Sequence, residues 1–197
     1  MAIFCLAKNL NDLENNIGIS RVKSINEGKF PFETTDQELE KALKNVNLLG
    51  NLTATTNPIV YAKADIVIVD VHLDIPFKDN EPKLEFDDFK EALEIVAINI
   101  RPQALVIIET TVPPGTCEKI IVPLFSKIFN ERGIDPSRLL LAHSYERVMP
   151  GKEYLNSIIN FWRVFSGYTE KAADLCEEFL SNVINVRDYP LTRLNST

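Results

Sequence analysis

The sequence is poor in the residues that usually announce a special chemistry or compartment. Its three cysteines, Cys5, Cys117 and Cys176, are widely spaced and form no CxxC pair. That argues against a disulfide scaffold and for a reducing, cytoplasmic compartment. Two histidines beside them give no metal-ligand spacing, so a zinc site is disfavoured. No apolar run approaches the roughly 20 residues that cross a bilayer, and Met1–Leu6 is too short for a secretory signal core. Basic residues never gather: 21 Lys and Arg are interleaved among 28 Asp and Glu, for a net charge of −7. This balance speaks against nucleic acid and against an anionic membrane surface as partners. Internal repeats and low-complexity tracts are absent.

What is present reads as one globular domain. A chain of 197 residues, 45% hydrophobic and 25% charged, is long enough for one substantial core and short for two. Ala2–Leu6 is a short strand candidate. The asparagine-rich stretch 9–17 reads as a loop or weak helix, and Arg21–Asn26 as a short helix ended by Gly28. Thr35-Asp36-Gln37-Glu38 has capping-box spacing and predicts a helix to about Leu49, with Leu39, Ala42, Leu43 and Val46 on one face and Gly50 stopping it. Leu52–Thr55 is a weak strand candidate and Asp65–Val71 a strong one, followed by a polar loop over His72–Lys83. Asp87–Asn99 has helical periodicity, Ala104–Glu109 is a buried strand, and Cys117–Asn130 is amphipathic with Thr116 as its cap. Leu139–Ala142, Arg163–Ser166 and Ile184–Arg187 read as further strands, with a helix from Thr169 to Ser181. Phe161 and Trp162 read as core. Strands alternating with helices predict an α/β fold with a doubly wound, mostly parallel sheet.

Two loops concentrate reactive side chains. The first, Thr110-Thr111-Val112-Pro113-Pro114-Gly115-Thr116, follows the buried strand and opens a helix. In open α/β sheets ligands gather beyond the carboxyl ends of strands, so its hydroxyls suit a phosphate, a ribose or a polarised substrate oxygen. The second, His143-Ser144-Tyr145-Glu146-Arg147-Val148-Met149-Pro150-Gly151, follows the next strand. If the two strands are parallel neighbours, a carboxylate, a guanidinium and several hydroxyls converge at one sheet edge. Taken alone, Glu146 and Arg147 read slightly better as a solvated surface pair, and His143 as a structural hydrogen-bonding residue. A triad from His143, Ser144 and Glu146 is rejected, because neighbours in an extended loop point apart. Cys117 lies in the first turn of a helix, where the dipole lowers a thiol pKa, although a small buried residue is the plainer role.

At these loops the chain resembles the UDP-glucose/GDP-mannose dehydrogenases. Glu109-Thr110-Thr111-Val112-Pro113-Pro114-Gly115-Thr116 is similar to that family's E-S-T-V-P-P-G-T, and Ser144-Tyr145-Glu146-Arg147-Val148-Met149-Pro150-Gly151 to its S-P-E-R-V-x-P-G. Weaker matches flank them at Arg21-Val22, Ile25–Gly28, Pro31-Phe32, Asn51–Thr56 and Ala64–Val71. The resemblance implies a Rossmann-like domain and NAD-dependent oxidation of the C6 alcohol of a nucleotide sugar to a uronic acid, for polysaccharide biosynthesis. It assigns Glu146 and Thr111 to catalysis, with Thr111 also touching the cofactor and placing a water. Arg21, Val71, Thr110 and Pro113 join the NAD contacts, while Arg147 and Val148 bind the sugar nucleotide.

The departures are as specific as the matches. No G-x-G-x-x-G occurs, and Ala2–Leu6 resembles the family's second strand. The expectation is therefore a partial dinucleotide-binding domain over 1–197 that lacks the first strand, the Gly-rich loop, the central helix and the substrate domain. Leu73 stands where the family has a cofactor-contacting threonine. None of Cys5, Cys117 and Cys176 matches the family's nucleophile, and the catalytic lysine has no counterpart. Such a chain is expected to be inactive alone and to bind NAD weakly or not at all. The alternative is a non-catalytic scaffold or subunit-interaction module, pairing as a homo-oligomer or with another chain through an uncovered sheet edge. Another two-domain NAD(P)-dependent dehydrogenase, of the 6-phosphogluconate type, fits the threonine turn and the Glu-Arg-Val loop less well.

Overall fold

The computed structural model describes residues 3–7, 16–71, 73, 77–78, 81–82, 85–149 and 151–195. These fall into two compact units, the first within Met1–Asn9, Pro58–Glu146 and Trp162–Thr197, the second within Leu10–Asn57 and Arg147–Phe161.

The first unit is an α/β sheet. Its strands are β1 (Ile3–Ala7), β2 (Ile66–Asp70), β5 (Leu105–Ile108), β6 (Leu140–His143), β7 (Val164–Gly167) and β8 (Thr192–Arg193), adjacent in that order. A two-residue hairpin, β3 (Phe77–Lys78) with β4 (Glu81–Pro82), stands apart within the loop predicted over His72–Lys83. Pairings β1–β2, β2–β5 and β5–β6 are parallel. All four residues of β5 are buried, as a central parallel strand covered on both faces requires.

Period-two alternation sorts the strands' side chains between two cores. On one face Val67, Val69, Val106, Ile108 and Leu141 meet helix α3 (Asp87–Asn99) and helix α4 (Val122–Glu131). Helix α3 buries Phe89, Ala92, Leu93, Val96 and Ala97, an i, i+3, i+4, i+7, i+8 stripe. Phe125 and Phe129 of α4 pack edge to face, 5.9 Å between centroids; burying a side chain of this size contributes about 1.5–3 kcal/mol. On the other face Ile66, Leu105, Ile107, Leu140, Ala142 and Phe165 meet α6 (Glu170–Val183) through Ala172, Ala173, Cys176, Phe179 and Leu180. Arg132 donates to Ala97 O (2.5 Å) and Ile100 O (2.8 Å), satisfying carbonyls at the end of α3.

The sheet is mostly parallel, as expected, with β7 antiparallel to β6 through Ala142↔Gly167 and His143↔Ser166. An antiparallel partner needs no crossover connection, so the chain re-enters the sheet from the end it left. The last strand is β8, not Ile184–Arg187. Ile184 instead closes α6, its N–H bonding Leu180 O. Trp162 is 56% exposed and packs edge-on to Tyr189 rather than in the core. Strand β2 carries β1 along its full length on one side. Strand β1 has no further strand on its outer side among the described residues.

The second unit holds α1 (Asn16–Asn26), α2 (Gln37–Leu48) and α5 (Tyr154–Ile159). Helix α1 begins earlier than the Arg21 start read from sequence; within the stretch 9–17, residues 9–15 lie outside the described residues. Gly28 and Gly50 take φ near +68° and +67° where α1 and α2 end. Asp36, one residue after the expected Thr35, is the N-cap of α2, accepting from Glu38 N and Leu39 N. Leu52–Thr55 is irregular chain rather than a strand, its segment held where Asn26 bonds Ala54 in both directions.

Candidate functional site

The two motif loops leave the carboxyl ends of adjacent parallel strands, β5 and β6. They are stitched together directly: Ser144 N donates to Ile108 O at 3.0 Å and Glu146 N to Glu109 O at 3.2 Å. The first bond extends the parallel pairing by one residue and the second, slipped by one position, brings Glu146 beside the residue that precedes Thr110 and Thr111.

The two threonines part company. Thr110 is 6% exposed, and its hydroxyl accepts from Val71 N (2.9 Å) and donates to Val71 O (2.8 Å). It ties the ends of β2 and β5 together, and Val71 itself is buried in the core. Thr111 is exposed and lines a cavity of about 420 Å³ with Pro113, Gly115, Cys117, His143, Tyr145 and Tyr168 among its other walls.

The turn that follows departs from the expected cap. Thr116 is already helical (φ −59°, ψ −43°) and makes no side-chain cap; its hydroxyl donates back to Pro113 O at 2.7 Å. Pro113 O also receives Thr116 N, and Gly115 O receives Lys119 N. Gly115 adopts φ +82°, which a residue with a Cβ resists. The helix opens with a π-helical turn, Cys117–Ile121, which runs into α4.

Electrostatics set the character of the neighbours. Burial pushes the Cys117 thiol up to about 11, with Glu118 adding to the effect, so burial outweighs the helix-start effect expected from sequence. Cys176 is fully buried and pushed up to about 12, chiefly by burial. Burial also lowers the His143 pKa, and its Nε2 lies 3.4 Å from Thr110 O, a contact that needs the Nε2–H tautomer.

The sequence reading did not single out Glu109 or Arg163. Glu109 is 16% exposed at its side chain and is raised to about 6 by burial; Arg163 opposes the rise, and Asp70 and Glu146 add to it. Arg163 is 3% exposed and lies 3.6 Å from Glu109 Oε1. A charged residue opening an apolar strand was the available signal.

The remaining predicted residues belong to the second unit. Arg21 is exposed on α1, Val148 is half-buried, and Arg147 is exposed with its guanidinium carbon 4.7 Å from the Phe161 ring centroid. Leu73 packs against the first core. No group of three or more metal-binding side chains occurs among the described residues, and none of their helices is long and apolar enough to cross a membrane.

Comparison with known proteins gives a consistent match. Residues 11–184 match the UDP-glucose/GDP-mannose dehydrogenase family, NAD binding domain. The chain is 30% identical over 174 residues to a UDP-N-acetyl-D-mannosamine dehydrogenase of Methanocaldococcus jannaschii, covering 88% of this chain and 37% of that protein. It is 32% identical over 166 residues to the enzyme of the same name from Pyrococcus horikoshii, covering 84% and 37%. A solved UDP-D-ManNAc dehydrogenase from Pyrococcus horikoshii superposes with TM-score 0.77 at 27% identity, covering 99% of this chain and 47% of that one. GDP-mannose dehydrogenase from Pseudomonas aeruginosa shares the fold, with TM-score 0.74 at 18% identity over 100% of this chain and 46% of that one. The chain thus spans little more than a third of the length of the curated relatives it matches.

Proposed function

The chain belongs to the UDP-glucose/GDP-mannose dehydrogenase family, and we propose that it provides the dinucleotide-binding part of an enzyme that oxidises the C6 alcohol of a nucleotide-linked sugar. The observation that carries this reading is the stitching of the threonine turn to the glutamate loop by Ser144 N–Ile108 O and Glu146 N–Glu109 O. It puts an exposed hydroxyl, Thr111, and a carboxylate residue, Glu146, on consecutive strand ends where ligands of such sheets gather.

In this reading Thr111 orients the reacting end of the cofactor and a water, and Glu146 holds or moves a proton during alcohol oxidation. Pro113 shapes the turn. Thr110 and Val71 act through each other: their mutual hydrogen bonds fix where Thr111 emerges. For Arg21, Arg147 and Val148, which lie in the second unit, the proposal rests on the family resemblance alone: a cofactor contact for Arg21, and sugar-nucleotide contacts for Arg147 and Val148.

The residues fit NAD at one end. When bound, it supplies the hydride acceptor, and the Thr111 cavity has the size and the hydroxyl for a nicotinamide ribose. The pyrophosphate end has less support: no G-x-G-x-x-G occurs in the sequence, and those glycines are what let backbone N–H groups close on the phosphates. Weak binding of the dinucleotide by this chain alone follows. The thiols of Cys117 and Cys176, both raised by burial, are unsuited to act as the nucleophile of the second oxidation.

Titration calorimetry of this chain with NAD⁺ and NADH tests the reading, the expected dissociation constants being millimolar or weaker. Micromolar binding contradicts the role assigned to the missing glycine turn. In a longer protein that includes this chain, two NAD⁺ are reduced per nucleotide sugar oxidised, UDP-N-acetylmannosamine being the first to try. Thr111→Ala and Glu146→Ala are each expected to lower that rate about a hundredfold or more; unchanged rates in both remove the site assignment.

A further inference from the structure

We infer that Arg163 and Glu109 act together as the device that positions Glu146. The inference takes its functional meaning from the dehydrogenase reading above, but its geometry stands apart from it.

A guanidinium at 3% exposure is costly unless it is paired, so its partners identify its task. Arg163 Nη1 donates to Tyr145 O at 3.0 Å and faces Glu109 Oε1 at 3.6 Å. Tyr145 immediately precedes Glu146, and Glu109 immediately precedes the two threonines. One buried cation therefore touches both motif loops. Glu109 in turn grips Glu146 by two routes: its carbonyl accepts Glu146 N directly, and its Oε1, an acceptor whether or not the carboxyl carries a proton, faces the Arg163 Nη1 that holds the Tyr145 carbonyl.

The surroundings make this pair more than a strand fastener. Glu109 is faced by Arg163 from the start of β7, by Asp70 from the end of β2, by Glu146 from the loop after β6, and by Cys176 from α6. Glu109 thus faces one buried cation and two further carboxylates. Burial raises Glu109 to about 6, and Asp70 and Glu146 reinforce the rise. In an opened, solvated loop the same carboxyl regains its ordinary value near 4.5. Closure of the Glu146 loop is therefore linked to a proton on Glu109, and raising the pH from 4.5 through 6 favours opening.

Amide hydrogen exchange of the full chain by NMR tests this residue by residue. The readout is the Glu146 N–H, with the ladder amides of β2 and β5 as internal reference. Arg163→Met is expected to lower protection of the Glu146 amide about tenfold or more relative to the reference. Arg163→Lys is expected to recover part of it, because an ammonium still reaches one of the two oxygens. In the native chain that protection, corrected for intrinsic exchange, falls on the order of tenfold between pH 4.5 and 7; in Glu109→Gln it is flat. Should Arg163→Met fail to fold, the near-isosteric Glu109→Gln and the pH profile still decide. Protection of Glu146 that is unchanged, or that falls only in step with the whole sheet, overturns the inference, as does a pH slope retained in Glu109→Gln. NAD titration of the same samples reports on the dehydrogenase reading separately, so either can fail without the other.

Discussion

The carboxylate of Asp36 accepts the backbone N–H of Leu155 at 2.8 Å, across 119 residues of chain. Its other oxygen accepts Glu38 N (2.9 Å) and Leu39 N (3.0 Å). One side chain thus serves the first turns of both α2 and α5, where backbone N–H groups have no partner inside the helix. Helix α5 has six residues, too few to hold itself. Asp36 thereby anchors the segment into which the glutamate loop leads.

That anchor is pH-dependent. Backbone hydrogen bonds, led by Leu155, hold the Asp36 carboxyl below its ordinary value of 3.8. A depressed carboxyl contributes stability above its unfolded value and loses it as the pH falls through the folded one. Thermal midpoints measured from pH 5 down to 2.5 are expected to fall more steeply in the native chain than in Asp36→Asn. Asp36→Ala should melt several degrees lower at pH 7, and equal slopes would contradict the dual cap.

Thr110 offers a test of the strand-end tie. Thr110→Val keeps shape but leaves the buried N–H and C=O of Val71 without their partner, at about 1–3 kcal/mol for each unsatisfied group. Urea denaturation should show a loss of about 2–4 kcal/mol in Thr110→Val and much less in Thr110→Ser. A Thr110→Val variant as stable as the native chain would mean that the tie contributes nothing.

The two described thiols should be inert in the folded protein. With Cys117 at about 11 and Cys176 at about 12, their thiolate fractions at pH 8 are roughly a hundredfold or more below that of an ordinary cysteine. In a Cys5→Ser background, a disulfide reagent is expected to label the native chain on the order of a hundred times more slowly than the urea-unfolded one. Rapid labelling of one native thiol would reopen that cysteine as a nucleophile.

Gly167 marks the tightest contact between sheet and helix. A Cβ there would meet Ala173 N at 2.3 Å and Ala173 Cα at 2.6 Å, both in the backbone of α6. Gly167→Ala must push α6 off β7, and a cost of about 1–3 kcal/mol is expected by chemical denaturation. Gly133→Ala is the useful contrast, because open space surrounds that position although its φ is +68°. Its cost is conformational rather than steric.

Much of the fold was legible because its signals are local. Asp87–Asn99 was read to the residue, since a buried stripe at helical spacing leaves few alternatives. The strands β2, β5 and β6 were placed within a residue or two by their apolar, β-branched runs. Local signals failed where distant packing decides. Thr116 has the chemistry of a cap, yet the proline before the turn offers a nearer acceptor, Pro113 O. The segment Ile184–Arg187 has strand composition, but its first residue is consumed in closing α6.

The candidate site divides the same way. Sequence by itself determined the two motif loops, their order after consecutive strands, and the family to which they belong, because a motif is a property of the chain. Only the tertiary structure decided what each residue does there. It spends the Thr110 hydroxyl on Val71, leaves Thr111 facing a cavity, and raises the cysteine thiols by burial. It also brings Arg163 from another strand to Glu109, 54 positions away. Exposure, hydrogen-bond partners and charge neighbours depend on which distant segments share a volume, and no local pattern encodes them.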